Sequence, residues 1–348
     1  MRASRIRVLE VQADDPWGGA AAHVASLVDA LSKDIDAKVV SPRGGHMDRS
    51  DVPLIPWESG QSLRDILAAH PADLIHLHGV RAGKEGWLAL RGTSQPVVYT
   101  EHLWTKAYHL VNPIREWVQV LGLRLIAARA SAVIAPSEAV ASFLAGRGIV
   151  SAEKLHRIPH GIAERPACAQ PTALVVGMVG SLNRTKRYDL ALDALARIGD
   201  AFPWRLVVFG TGEERPALER RAKELHLDDR IEWRANARVV EFCDFSVFLH
   251  TSSSESFGLS VAEAMAAGVP VVVTKVGALP ELVGEAGIIV ESDSRAITTA
   301  LTTLFNDRKA RQSLGAKGRS RIRSQFSIAG MAEATASVYR TVYETHAH

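Results

Sequence analysis

The residues best placed to do chemistry are two glutamates, Glu255 and Glu263, with seven residues between them, and two cations of an earlier loop, Arg184 and Lys186. Cations fixed beside a departing phosphate stabilise the charge that grows as its bond breaks, more than they stabilise the ground state. An apolar run at 245–249 ends in a serine-rich turn, a helical pattern follows over 258–267, and Gly268 with Pro270 stops it before a strand at 271–274. Glu255 then stands just ahead of a helix N-terminus, where unsatisfied N–H groups and the positive dipole end favour an anion. Glu263 falls about two turns further along, inside the helix. One acid precedes the anion site and the other lies beyond it, an order that suits a ligand with a diphosphate in the middle and a sugar on either side. A bare pair of glutamates reads more simply as a dipole partner and a solvated helix residue; the surrounding stretch is what makes this pair specific.

That stretch, Glu255-Ser-Phe-Gly-Leu-Ser-Val-Ala-Glu263 followed by Ala-Met-Ala-Ala-Gly-Val-Pro-Val-Val, resembles the donor motif of the family-4 retaining glycosyltransferases of GT-B fold. The resemblance implies that Glu255 contacts hydroxyls of the transferred sugar, that amides around Phe257, Gly258 and Leu259 hold that sugar and the phosphates, and that Glu263 takes the ribose hydroxyls. The loop Gly180-Ser-Leu-Asn-Arg-Thr-Lys-Arg187 is similar to the family's phosphate loop, with Ser181 where an arginine is usual. Lys186 is then the phosphate cation, and Arg184 a candidate substitute for the missing arginine. Gly18-Gly19-Ala-Ala-Ala-His23 resembles the N-terminal glycine loop that faces the cleft in relatives, and glycine there permits φ > 0 and close backbone approach to a phosphate or substrate oxygen. Val-Val-Tyr-Thr-Glu-His102 is similar to a segment whose histidine reaches the donor sugar near its reacting carbon, while Pro159-His-Gly-Ile162 departs from the usual Asn-Gly. His78 and Arg81 are candidate acceptor contacts on the same ground.

Positioning these groups requires two α/β halves. Strand patterns at 5–11, 37–41, 73–79, 96–100, 132–135 and 155–159 alternate with helical ones, and the alternation at 73–79 puts His76 and His78 on one face. The strand at 96–100 delivers Glu101, His102, Leu103 and Trp104 to its C-terminal end, where ligands of open parallel sheets collect. The polar segment 42–51 reads as a loop and a candidate acceptor contact. Residues 163–171, with two prolines and no periodicity, read as a linker before a fresh pattern: strand 174–179, helix 188–198, strand 205–209. The expected fold is α/β, GT-B, with two Rossmann-like doubly wound domains facing across a cleft: 1–164 for the acceptor, 172–325 for the nucleotide-sugar donor, and a helix in 326–348 crossing back. Residues 231–245, which surround the nucleobase in relatives, are shorter here than in many of them.

With 348 residues, 47% hydrophobic and 23% charged, the chain is ordinary for a globular protein of two domains. A net charge of +3 with scattered basic residues gives nucleic-acid binding no support. Cys168 and Cys243 lie far apart without metal-ligand spacing, so they are expected unpaired, in a reducing cytoplasm. Asp34 and Asp36, spelled Asp-x-Asp, are expected to be turn residues, and no run is long enough to span a membrane. The segment 108–129 mixes Trp117, Val118, Leu121, Leu125 and Ile126 with Arg115, Arg124 and Arg129; a helix packed on its own domain is favoured over peripheral membrane contact.

The function expected is retaining transfer of a sugar from a nucleotide-sugar donor, a UDP-sugar first, to the hydroxyl of an unknown acceptor. The nucleotide sugar is a substrate, and neither cofactor nor metal is expected because cations and a helix dipole supply the positive charge. The alternatives are a GT-B epimerase or phosphorylase, or a non-catalytic nucleotide-sugar binder.

Overall fold

The computed structural model describes residues 5–14, 18–47, 51–103, 113–235 and 241–346. Strand and helix alternate in order β1 (Ile6–Gln12), α1 (Gly19–Ala30), β2 (Ile35–Ser41), β3 (Leu54–Pro56), α2 (Leu63–Ala69), β4 (Leu74–His78), α3 (Gly79–Ala89), β5 (Val97–Thr100), α4 (Pro113–Arg129), β6 (Ala132–Ala135), α5 (Glu138–Gly146) and β7 (Leu155–Arg157). They continue with β8 (Leu174–Val179), α6 (Tyr188–Ile198), β9 (Trp204–Phe209), α7 (Arg215–Glu224), β10 (Ile231–Arg234), β11 (Val247–His250), α8 (Leu259–Ala266), β12 (Val271–Thr274) and α9 (Leu279–Val283). Last come β13 (Ile288–Val290), α10 (Ser294–Asn306), α11 (Arg308–Gln325) and α12 (Ile328–His346). The chain divides into two compact units, Met1–Gly161 with Phe326–His348, and Ile162–Gln325.

Each unit is built on one parallel sheet. The first has the order β3-β2-β1-β4-β5-β6-β7 and the second β10-β9-β8-β11-β12-β13. In both, strand order reverses once, between β1 and β4 and between β8 and β11, and a crevice opens at the carboxyl ends of strands at such a reversal. The physical reason for parallel pairing is written in the strands themselves. Val97–Thr100, Ala132–Ala135, Val247–His250 and Val271–Thr274 are buried at every position, as strands covered by helices on both faces must be.

Helix α12 belongs to the first unit: Met331, Ala336, Tyr339 and Val342 are buried in one cluster with Ile6, Val8, Leu27 and Ile35. Its Arg340 pairs with Asp34 at 2.8 Å, so that acid is occupied by an ion pair. Two elements carry little sequence signal. Strand β3 has three half-buried residues, too few for a period. Helix α3 holds glycines that lower its propensity, yet a Cβ at Gly86 would come 2.4 Å from Leu77, so packing on β4 forbids anything larger.

The cysteines correct an expectation. Cys168 and Cys243 form a disulfide, with Cα atoms 4.9 Å apart. They stand 75 residues apart in sequence, and only the fold joins them. The Cys168 N–H donates to the Ala267 carbonyl (2.9 Å), and Arg308 donates to the Gln170 carbonyl (2.9 Å). Residues 163–171 are therefore strapped to the second unit, and unpaired thiols no longer argue for a reducing compartment.

Candidate functional site

In the second unit the loop after β8 is held by the loop after β9. Gly180 N–H donates to the Phe209 carbonyl (3.0 Å), Leu182 N–H to Thr211 (2.8 Å), and Glu214 N–H back to Leu182 (3.0 Å). The Asn183 side chain accepts the Lys186 N–H at 3.2 Å, and Thr251 Oγ1 donates to the carbonyls of Lys186 (3.0 Å) and Arg187 (2.8 Å). Thus fixed, Lys186 sends Nζ to 2.6 Å from Glu255 Oε2.

His250, the last residue of β11, brings Nε2 to 2.9 Å from the same carboxylate oxygen, and Ser252 Oγ lies 2.9 Å from that nitrogen. The backbone of Glu255 is equally constrained: its carbonyl accepts the Ala278 N–H (2.9 Å), and Gly277, at φ +50°, lies so near that a Cβ would come within 1.9 Å of that oxygen. Only glycine fits there. Side-chain exposures of 24% for Lys186, 12% for Glu255 and 5% for His250 leave the pair shielded yet reachable. Burial pushes the Glu255 carboxyl up, but the Lys186 ammonium and the His250 hydrogen bond override it and hold the group well below the usual carboxylate range. Burial lowers the His250 imidazole, which stays neutral near pH 7.

Of the other residues expected from sequence, Phe257 and Gly258 lead directly into α8 at Leu259, whose N–H groups have no side-chain cap and no acid in the first turn. Uncapped N–H groups of this kind favour an anion. Glu263 is brought elsewhere: it meets Arg165 at 3.1 Å, and that guanidinium lies 5.1 Å from the Phe242 ring centroid. Arg184 is not brought to Glu255. Its side chain is 89% exposed and pairs with Glu214 at 3.2 Å, so its charge stands in water rather than replacing the arginine that Ser181 displaces.

The first unit gathers histidines. The parallel register sets Glu10 beside His76 and Gln12 beside His78. Glu10 is wholly buried and accepts from Tyr339 Oη on α12 (2.6 Å) and from His78 Nε2 (2.8 Å), with His76 Nδ1 at 3.0 Å. His76 spends its other nitrogen on Thr100 Oγ1 at 2.7 Å. Burial pushes Glu10 up, and the two histidines pull it well below the carboxylate range; burial and His76 bring His78 down to about 4 against the pull of Glu10. His102, two residues beyond β5, puts Nε2 3.2 Å from His78 Nδ1. His23 on α1 and His160 after β7 have ring centroids 4.1 Å apart, and His160 stacks at 5.2 Å on His102. Burial, then neighbouring rings, holds His23, His102 and His160 well below the ordinary imidazole value.

Gly18 and Gly19 do not use positive φ: Gly18 is the extended N-cap of α1 (φ −74°) and Gly19 its first residue, although α1 has neither side-chain cap nor acid in its first turn. Arg81 is exposed on α3. Trp104, the start of the expected 108–129 helix, residues 48–50 of the loop at 42–51, and residues 236–240 of the expected base segment lie outside the described residues. Glu10, His250, Ser252 and Tyr339 carry no spacing signal; His250 heads the motif stretch, but nothing local says that it turns back to Glu255.

Two family models match the chain, Glycosyltransferase Family 4 over residues 17–164 and Glycosyl transferases group 1 over residues 165–321. The chain belongs to the family-4, group 1 glycosyltransferases. Within this family, a D-inositol 3-phosphate glycosyltransferase of Streptomyces bingchenggensis is 30% identical over 301 residues, 77% of this chain and 66% of that protein. The N-acetyl-alpha-D-glucosaminyl L-malate synthase of Bacillus anthracis is 29% identical over 172 residues, 47% of this chain and 44% of that one. The chain thus spans two thirds or less of these relatives' lengths. Among solved structures, Anabaena HepE in complex with UDP-glucose aligns with a TM-score of 0.84 at 20% identity, covering 97% of this chain and 100% of that one. A sucrose-phosphate synthase of Thermosynechococcus elongatus gives 0.84 at 21%, covering 98% and 100%. The fold is GT-B.

Proposed function

We propose that this glycosyltransferase moves a sugar from a nucleotide-sugar donor, a UDP-sugar first, to an acceptor hydroxyl with retention at the transferred carbon. The observation that carries the reading is the Lys186–Glu255 pair at 2.6 Å, set beside His250 and the uncapped start of α8 at the strand-order reversal of the second sheet. Lys186 has three N–H donors and gives one to Glu255, so two remain for phosphate oxygens. In the reaction the bond from the sugar carbon to the phosphate oxygen breaks and a bond from that carbon to the acceptor oxygen forms. The acceptor proton passes to the departing phosphate, and the nucleoside diphosphate leaves. Lys186 and the α8 amides stabilise its growing charge, with no metal assigned to that task. Glu255 orients the donor sugar, Glu263 takes ribose hydroxyls by exchanging them for Arg165, and His102 is assigned to the sugar near its reacting carbon on the strength of the family resemblance. That HepE is solved with UDP-glucose supports the choice of UDP.

A thermal-shift panel of UDP, GDP, ADP and dTDP tests the donor, because a ligand bound by the native state alone raises the melting temperature. UDP should give the largest rise, followed by slow hydrolysis of UDP-sugars. A shift with none of the four would end the reading. Sugar-nucleotide consumption that needs no acceptor would point to an epimerase, dependence on free phosphate to a phosphorylase, and binding without turnover to a mere binder. Glu255→Ala should lower turnover about 100-fold, on the scale of one lost preorganised contact, with a smaller change in UDP affinity. Equal losses in both would remove the orienting role.

A second observation bears on the acceptor. Ile114, Trp117, Val118, Leu121 and Leu125 form one stripe of α4 and are 71%, 66%, 55%, 41% and 43% exposed, while Leu123, Ile126 and Ala127 face the core. No helix among the described residues is long and apolar enough to cross a membrane. An apolar stripe beside exposed Arg115 favours an acceptor carried on an anionic lipid surface. Flotation with phosphatidylglycerol vesicles, lost in Trp117→Glu, would support it; no flotation of the native protein would exclude it.

A further inference from the structure

Three histidine rings of the first unit surround one point. The centroids of His23 and His78 are 5.7 Å apart, those of His23 and His102 5.3 Å, and those of His78 and His102 5.5 Å. Three imidazoles bound tetrahedrally to one zinc ion, with Zn–N bonds of about 2.0–2.1 Å, place their centroids about 5 Å apart. The rings are thus already arranged nearly as three ligands of a single ion would be. Each offers one nitrogen within 4.8 Å of the other two, so shifts on the order of 1 Å would bring all three to bonding distance.

The proton positions agree with this geometry. Glu10 is a carboxylate and can only accept, so His78 presents Nε2–H to it at 2.8 Å and keeps the lone pair on Nδ1. That lone pair points toward His102 Nε2 at 3.2 Å. A carboxylate behind a metal-binding histidine is the usual outer support, fixing the tautomer and raising the basicity of the ring. Glu10 is itself held by Tyr339. The buried Nδ1 of His23 has no hydrogen-bond partner among the described residues, a cost of about 1–3 kcal/mol unless some ligand meets it. Neutral imidazole is the form that binds metal. The neighbouring group of Glu10, His76 and His78 is a weaker candidate, because both nitrogens of His76 are occupied by Tyr339, Glu10 and Thr100.

We propose that His23, His78 and His102 form a binding site for one Zn2+ ion, with Glu10 as the outer-sphere carboxylate behind His78. Three nitrogen ligands leave a fourth position for water or another group, and imidazole selects zinc over magnesium. When the ion binds, His102 gives its Nε2 lone pair to the metal and carries its proton on Nδ1. Zinc therefore withdraws His102 from the donor sugar and slows transfer. That consequence rests on the role given to His102 under the proposed function; the site itself does not.

The test is equilibrium binding of Zn2+ to the full chain by competition with a chromophoric chelator, with Mg2+ as the contrast. One equivalent should bind to the native protein, and His23→Ala and His102→Ala should each weaken it at least 10-fold, while Glu10→Gln weakens it about 10-fold to 100-fold through the outer sphere. His346→Ala, distant from the cluster in sequence, should leave it unchanged. Equal affinity in the native protein and in both histidine variants would mean adventitious binding at surface groups and would overturn the site. Co2+ loading keeps the question answerable if a variant fails to fold: the native protein should give the visible absorption of a tetrahedral ion, and an octahedral spectrum would count against the proposal. Loss of transfer on adding Zn2+, with the UDP thermal shift intact, would extend the site to control of activity. Zinc binding without that loss would leave the site standing and remove His102 from the sugar.

Discussion

The two sheets share one strand order except for a seventh strand in the first, and each gathers polar groups where that order reverses, yet the chemistry at the two reversals is opposite. In the second unit a cation and a carboxylate meet directly, Lys186 and Glu255, with neutral His250 at their side. In the first unit one buried carboxylate, Glu10, is surrounded by hydrogen-bond donors that are not obligate cations: His76, His78 and Tyr339. The Lys186–Glu255 pair of the second unit is partly open, with side-chain exposures of 24% and 12%. The Glu10 network of the first unit is sealed, with Glu10, His76 and His78 wholly buried, and the rings of His23, His78 and His102 stand together beside it. Topology supplies the crevice, and the side chains decide its chemistry.

Removing each carboxylate or its partner measures that difference. Glu10→Ala should be the most damaging to stability, about 4 kcal/mol by urea unfolding, because it leaves Tyr339 Oη and two imidazoles buried without their acceptor. A loss under 1 kcal/mol would mean that water enters the network and that the first site is no more sealed than the second. Reduction of Cys168–Cys243 should cost about 4 kcal/mol on the chain-entropy account of a loop this long. The loss should fall in the second unit alone, so hydrogen exchange that rises equally in β4 and β11 would contradict independent units. Lys186→Ala should cost about 3 kcal/mol, since a shielded carboxylate loses its cation, and should also erase most of the UDP thermal shift. An unchanged shift would take Lys186 out of the phosphate site.

The smallest effect is one of pH. His250 is held below its ordinary value by burial, so as pH falls through 6.5 the unfolded chain takes up a proton there more readily than the folded chain, and stability falls as pH falls. Glu255, depressed by Lys186, keeps its charge at that pH. His250→Gln should therefore lose less stability than the native protein between pH 7.5 and 5.5 in urea unfolding. An identical loss in both proteins would mean that His250 titrates normally in the fold.

Much of the second site was legible in the sequence, because its groups lie in two short motifs. Lys186, Glu255 and the start of α8 are brought together as the motifs imply. Arg184 and Glu263 diverge from the pair for reasons that no spacing contains: Glu214 and Arg165 arrive from other elements to meet them. Gly18 and Gly19 were read from residue type, but the helix that begins at Gly19 requires no positive φ. Little of the first site was legible. His76 and His78 could be put on one face by alternation, whereas Glu10, two residues before the end of β1, looks like any charged residue of a strand.

Local pattern alone determined the elements that depend on local forces. The strands at 132–135, 174–179 and 271–274 and the helix at 188–198 coincide with the observed ones, because β-branched runs, helical periodicity and glycine or proline stops act within a few residues. Only the tertiary structure decided which distant groups meet: Cys168 with Cys243, Tyr339 with Glu10, His23 with His78 and His102. Each of these contacts closes a long loop, and the free energy that closes it comes from packing helices on a sheet rather than from the residues that finally touch.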